Sequence, residues 1–209
     1  MVVMLIKNKS YLVPLGDLAL LSAAPLACGG LTAYRAVSHT LPNLSKKSRV
    51  LVIGAGGLGQ FGIQFIKIQS DAKVIATDLS SDKLQRALAV GADEVASPTD
   101  LDGTFDAIID FVGAQNTLEL MAKHVARQGT AVLVGIFGGK IPFGFGAVPH
   151  EARFMTSIWG TQGQLGELLA LANKHELKHS VEALPLASAQ EAHERLIAGT
   201  VAGRIALVP

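Results

Sequence analysis

The sequence predicts an α/β fold, a doubly wound parallel sheet covered by helices on both faces. Three observations carry that expectation. From Arg49 onward, short runs rich in valine and isoleucine alternate with helical patterns of about ten to fifteen residues. The runs are apolar throughout rather than at every second residue, as strands buried on both faces require. A glycine triad, Gly54, Gly56 and Gly59, lies between the first run and the first helix, where such a sheet turns tightly into its covering helix. Right-handed crossovers between parallel strands then place helices on both faces.

Taken in order, RVLVIG (49–54) is the first strand and LGQFGIQFIKIQS (58–70) its helix. KVIATD (73–78) is the second strand, and SSDKLQRALAVG (80–91) a helix with Ser80 or Ser81 as N-cap and Gly91 as its stop. DEVAS (93–97) and FDAIIDF (105–111) are the third and fourth strands, and QNTLELMAKHVARQG (115–129) is a helix carried to Gly129. TAVLVG (130–135) and RFMTSIW (153–159) complete six strands. The two ends break this rhythm. MVVMLI (1–6) is strand-like and VPLGDL (13–18) is a loop, neither with a local partner. Beyond residue 160 come helix GQLGELLALANK, strand SVEALPL, helix SAQEAHERLIAG and strand GRIALVP. The expected division is a lead-in segment over 1–22, a sheet domain over 23–160 with the helix that leads into it, and a C-terminal tail over 161–209.

Composition narrows the function classes. A formal net charge of +1, from 18 basic and 17 acidic side chains among 209 residues, offers no nucleic-acid surface. With 49% apolar and only 17% charged residues, the chain holds more apolar surface than an average soluble domain and implies burial against a partner or further domain. A single cysteine, Cys28, excludes an internal disulfide framework and fits a reducing cytoplasm. The uncharged stretch LALLSAAPLACGGLTAY (18–34) is interrupted by Pro25 and Gly29-Gly30, which argues against a membrane span or an export signal.

The glycines carry the chemistry. In a strand–turn–helix context Gly54 permits the tight turn, Gly56 lets a pyrophosphate approach the backbone, and Gly59 lets the helix pack on the strand. Gly57 is counted with them among the cofactor-binding residues. The helix N-terminus supplies amide donors to the anion. The competing reading is a structural turn with no ligand. Asp78 closes the second strand about twenty residues after the last glycine, where a carboxylate accepts hydrogen bonds from both hydroxyls of an adenosine ribose. A 2′-phosphate there would meet a like charge, so the pattern points to NAD rather than NADP. The competing reading of Asp78 is a plain turn residue before a helix.

Beyond these motifs, AAPLACGGLTAYRAV, VLVIGAGGLGQFGIQFIK, ATDLSSDKLQRALAVGAD, IIDFVG, VLVGI and AGRIALVP together resemble the zinc-dependent medium-chain alcohol dehydrogenases, in order and over essentially the whole chain. The resemblance implies the coenzyme (Rossmann) domain of such an enzyme plus the tail that returns to its catalytic domain. The barrel-like catalytic domain with which family members begin has no counterpart here. By position, Cys28 matches one cysteine ligand of the catalytic zinc. Thr32 matches a residue packing on the nicotinamide, with Leu58 in the same pocket, and Lys83 one beside the adenosine ribose. Val112 and Gly113 fall in the loop flanking adenine, Val134 and Ile136 near the nicotinamide, and Arg204 at an arginine approaching the pyrophosphate. KIPFGFG (140–146) resembles the edge through which family subunits pair and implies a homo-oligomer. The cofactor implied is NAD, and zinc in a complete enzyme acting on an alcohol or carbonyl substrate. One thiolate cannot hold a catalytic zinc, which needs three protein ligands, so no catalytic set is complete and little or no turnover is expected of these residues alone. Without the resemblance, Cys28 reads as buried apolar filler.

Other arrangements compete. HELKH, from His175 to His179, has zinc-peptidase spacing with Glu176 as base, but the helical pattern fades at Asn173-Lys174 and a strand-like run follows. His39, His124, His150 and His193 are isolated and read as surface or packing residues. A zinc-free quinone reductase of the same superfamily and a non-catalytic NAD-binding or assembly module remain as alternative functions.

Overall fold

A computed structural model describes residues 8–201 and 203–209; the strand-like MVVMLI lies outside them. Two helices lead in, α1 (Leu20–Ala23) and α2 (Gly29–Ser38). The sheet elements follow as β1 (Arg49–Ile53), α3 (Gly57–Gln69), β2 (Lys73–Thr77), α4 (Ser81–Ala89), β3 (Glu94–Ala96), β4 (Phe105–Asp110), α5 (Gln115–His124), β5 (Val125–Leu133) and β6 (Arg153–Thr156). The tail contributes α6 (Gln162–Lys174), β7 (Val181–Pro185), α7 (Ala189–Ile197) and β8 (Arg204–Val208).

The six strands form one parallel sheet in the order β3-β2-β1-β4-β5-β6, the doubly wound arrangement expected from the alternating pattern. Because successive side chains of a strand point to opposite faces, β1 feeds two cores. Val50 and Val52 join a cluster with α2, α3 and α6, whereas Leu51 and Ile53 join Leu118 and Met121 of α5. Phe61 and Phe65 of α3 stack at 5.9 Å, and Tyr34 of α2 meets Phe65 edge-on. The α6 helix adds Leu168, Leu169 and Ala172 to the larger core. Its polar side is tied to α2, with Tyr34 Oη donating to Glu167 Oε2 at 3.2 Å and Arg35 Nη1 to Gln164 Oε1 at 3.0 Å. Burial pushes the Tyr34 phenol up, and the hydrogen bond to Glu167 and its charge push the same way.

Two boundaries differ from expectation. The sixth strand, expected to reach Trp159, ends as β6 at Thr156, and Trp159 has a left-handed φ of 46° that no strand accommodates. The helix predicted to run to Gly129 ends at His124, and Val125 opens β5 with its side chain fully buried. The left-handed residue is Gln128, with φ of 62°, not the adjacent glycine. Its amide donates to His150 O at 3.2 Å and its side chain to Glu151 Oε2 at 2.9 Å, which holds the unusual backbone. The β4–β5 register shifts at this point, between Phe105 and Ala107.

Beyond α6 the tail is anchored by a side chain imitating a strand. The buried Gln64 of α3 donates to Lys178 O at 2.8 Å and accepts from Lys178 N at 2.6 Å. This leads into the parallel pair β7–β8, in which Val181 lies opposite Arg204. Among the described residues no helix is long and apolar enough to cross a membrane.

Replacing Gln64 with alanine should strip both partners from the Lys178 backbone and cost about 1–3 kcal/mol. Urea unfolding reads the loss, and hydrogen exchange should show the Lys178 amide opening before the sheet amides do. Acid stability is tied to Asp93, whose carboxyl is held below the ordinary aspartate range: burial opposes ionisation, but the Val74 amide and the Lys67 ammonium outweigh it. A depressed folded-state value adds stability above the unfolded-state value that is lost as pH falls through the folded one, so Asp93→Asn should flatten the acid limb of the stability curve.

Candidate functional site

The strand order reverses at β1, whose neighbours are β2 and β4. The carboxyl ends of these strands open the crevice in which open α/β sheets bind ligands. Gly54 leaves β1 with φ of 88°, a conformation that disfavours any side chain. A Cβ at Gly59 would overlap the Gly54 carbonyl oxygen, so α3 seats its first turn directly on the end of β1. Gly56 differs, because a Cβ there meets nothing within 4 Å and the space in front of the turn is open. The first amides of α3 therefore point, without an acidic residue in that turn, toward a free opening.

On one side of this turn lies a crevice of about 500 Å³ lined by Gly54, Asp78, Lys83 and Val112, together with Leu79, Pro98 and Leu120. Four of the expected residues thus come together. Asp78 does more than its position suggested. Its Oδ2 accepts from Ala55 N at 3.0 Å and its Oδ1 from Ser80 N at 3.0 Å, with Lys83 Nζ 3.7 Å from Oδ1. The carboxylate fastens the glycine turn to the end of β2 and still presents a lone pair on each oxygen. Ser80 stands at the N-cap of α4, but its side chain makes no capping bond.

On the other side the tail returns. Arg204 at the start of β8 reaches over α3, and a Cβ at Gly57 would stand 3.0 Å from its Nε. A Cβ at Gly29 would stand 2.5 Å from its Nη2, so the guanidinium is wedged between α2 and α3. Its Nε is buried and has no hydrogen-bond partner among the described residues. A buried donor left unpaired is costly, and one beside a helix N-terminus fits an anion such as a dinucleotide diphosphate. Thr32 is buried in α2, and Ile136 is 89% exposed. These two, with Leu58 and Val134, are not among the residues lining the crevice, whereas Gly113 is buried behind Val112.

The thiol of Cys28 is exposed, which corrects the filler reading. Among the described residues no group of three or more His, Cys, Asp or Glu is placed to hold a metal ion. Cys28 alone does not fit a zinc site, because a catalytic zinc takes three protein ligands. HELKH is not an active-site helix: α6 ends at Lys174, His175 is extended, and the His179 ring nitrogens lie 2.9 and 3.0 Å from Leu177 O and Ser22 O. His124 is indeed a packing residue, buried with Nδ1 2.8 Å from Gly103 O.

Two neighbouring residues escaped the sequence reading. Asp110 is fully buried at the end of β4 and accepts from Val112 N, Gly113 N and Thr117 Oγ1 at 2.8, 3.0 and 2.8 Å. Burial pushes its carboxyl up, while these three donors pull it down. Gln115 accepts from Lys140 N and donates to Lys140 O, each at 3.0 Å. The only signal was a carboxylate at the end of a strand, directly after the apolar Ala107–Ile109, with a threonine seven residues on.

The glycines should separate by task. Gly59→Ala should cost about 1–3 kcal/mol of stability through overpacking. Gly56→Ala should stay within about 0.5 kcal/mol, yet its methyl would occupy the approach to the α3 amides and weaken NADH binding about tenfold or more. Thermal unfolding and calorimetric titration of the two variants read the difference.

Comparison with known proteins agrees with this architecture. An NAD-dependent alcohol dehydrogenase of Sulfolobus acidocaldarius is 35% identical over 96% of this chain and 61% of its own length. A D-arabinose 1-dehydrogenase (NADP(+)) of Saccharolobus solfataricus is 29% identical over 99% of the chain and 63% of its own. The chain thus spans about three fifths of the length of these relatives. The crystal structure of the alcohol dehydrogenase of Aeropyrum pernix superposes with a TM-score of 0.82 at 32% identity, over 92% of this chain and 60% of that one. An acetophenone reductase of Geotrichum candidum, solved in complex with NAD, gives 0.81 at 29% identity over 94% and 58%. The family model described as zinc-binding dehydrogenase matches residues 57–174, more than half of the sequence. The chain belongs to the zinc-binding dehydrogenase family.

Proposed function

We propose that this chain is the NAD(H)-binding part of an alcohol dehydrogenase, with little or no turnover of its own. The observation that carries the reading is the buried Nε of Arg204, without a hydrogen-bond partner among the described residues, beside Gly57 at the open N-terminus of α3. Amides of the α3 first turn and the Arg204 guanidinium would hold the diphosphate of NAD. The second lone pairs of the Asp78 carboxylate would receive the ribose hydroxyls, with Lys83 beside it, and Val112 would pack on the adenine side. Thr32, Leu58, Val134 and Ile136 would border the nicotinamide, with Gly113 behind Val112 shaping the loop. When bound, the coenzyme supplies the hydride acceptor or donor, and the chain supplies orientation. In a complete enzyme the substrate is a small alcohol or carbonyl compound, and Cys28 is one of the zinc ligands.

The division into a lead-in, a coenzyme domain and a tail, at 1–22, 23–160 and 161–209, belongs to the same proposal. So does pairing of two chains through 140–146, supported by Phe143 and Phe145, which are 80% and 100% exposed. One relative is named for NADP(+), but in this chain the Asp78 corner favours NAD because a 2′-phosphate would meet the carboxylate.

Calorimetric titration with NADH and NADPH, beside elemental analysis for zinc, tests the reading. NADH should bind about tenfold tighter or better than NADPH, with zinc well below one per chain. A preference for NADPH would favour the quinone-reductase alternative. Robust alcohol-dependent NADH formation with stoichiometric zinc would overturn the incomplete-site reading.

A further inference from the structure

We infer that Asp110 is a positioning residue that fixes one whole wall of the crevice without touching what the crevice binds. The inference rests on the dinucleotide reading above and extends it to a side chain outside the glycine motif. Four of the crevice-lining residues, Val112, Ala114, Asn116 and Thr117, lie in the short stretch after β4. That stretch is held by the Asp110 side chain. Oδ1 receives the Val112 and Gly113 amides, and Oδ2 receives the Thr117 hydroxyl, which in turn accepts from Ala114 N at 3.0 Å. The Asp110 main chain holds the second loop of the same wall, because its carbonyl accepts from Val134 N at 2.8 Å and Gly135 N at 3.0 Å.

The two loops are then tied to one another. Phe137 N donates to Val112 O at 3.4 Å and Gly139 N to Gly113 O at 2.9 Å. Phe137 thereby reaches the crevice, although it belongs to a different loop from Val112. Val112 passes the constraint on to the glycine turn, since a Cβ at Gly54 would stand 2.6 Å from its Cγ2. Every one of these links passes through Asp110 or through a residue it bonds. A fully buried carboxylate with three donors is a stiff joint, because losing one partner strands the others away from water. The wall faces the Asp78–Lys83 corner across the crevice, so the half of the ligand it shapes is the adenosine half.

The test is calorimetric titration of the full chain and its variants with 5′-AMP, which probes that half alone, and with NADH, alongside thermal unfolding without ligand. Asp110→Ala should weaken AMP and NADH by the same factor, about tenfold or more. Asp110→Asn should restore affinity to within about threefold, because its Oδ1 still accepts from the two amides. Its Nδ2 can donate to Thr117 Oγ1, whose own proton has Ala114 O within 3.0 Å. If Asp110→Ala does not fold, Thr117→Val carries the test: it removes the hydroxyl that bridges Asp110 to the Ala114 backbone and should weaken AMP binding in a folded chain. Wild-type AMP affinity in folded Asp110→Ala or Thr117→Val would overturn the inference, even if the unfolding midpoint drops. So would an Asp110→Asn loss as large as that of alanine, or a loss for NADH without one for AMP. Failure of the wild-type chain to bind either probe is a separate result, and it would remove the dinucleotide reading on which the inference stands.

Discussion

The contact between Gly59 and the Gly54 carbonyl sets the geometry on which the rest depends. Only a residue without a Cβ lets the first turn of α3 rest on the end of β1. That seating brings the unpaired amides of the helix to the topological switch point of the sheet, next to the ends of β2 and β4. It also carries Gly62 against the Phe111 ring and Gly57 under the Arg204 guanidinium. A bulkier first turn would lift α3 away from the sheet and separate the tail arginine from the helix N-terminus.

Two electrostatically distinct places flank the glycine turn. On the crevice side Asp78 presents acceptors; on the side of the returning tail, Arg204 and the amides that open α3 present donors. In the function proposed above, a sugar would meet the first and a diphosphate the second. Asp78 also bonds the Ala55 amide and so stabilises the glycine turn. Its replacement would disturb the turn geometry whatever it does to the coenzyme choice proposed above, which makes it a poorer probe of specificity than its position in the sequence suggests. Arg204 comes from β8, far along the chain, and stands beside α3 in a tail that Gln64 and Lys178 anchor.

Much of this was legible in the sequence because each signal was local. The runs RVLVI, KVIAT and FDAIID read as buried strands, and they are. Of the residues the sequence assigns to a nucleotide turn and its surroundings, Gly54, Asp78, Lys83 and Val112 line one crevice, whereas Gly56 and Gly59 do not. The failures were of another kind. Gly129 has the local signature of a helix stop, yet α5 ends at His124 and Gln128 takes the left-handed backbone through bonds to His150 and Glu151, over twenty residues away. Asp110 reads in sequence as a strand residue, because what it bonds lies in loops that meet only in three dimensions. Cys28 shows the limit of composition: an unpaired cysteine packs well in a core, yet this one faces outward.

The most direct measurement is a crystal structure of the chain grown with NADH. The account predicts diphosphate oxygens within hydrogen-bond distance of the amides that open α3 and of the Arg204 guanidinium, with the adenosine ribose against Asp78. Coenzyme bound elsewhere, or a crevice left empty at saturating NADH, would contradict it.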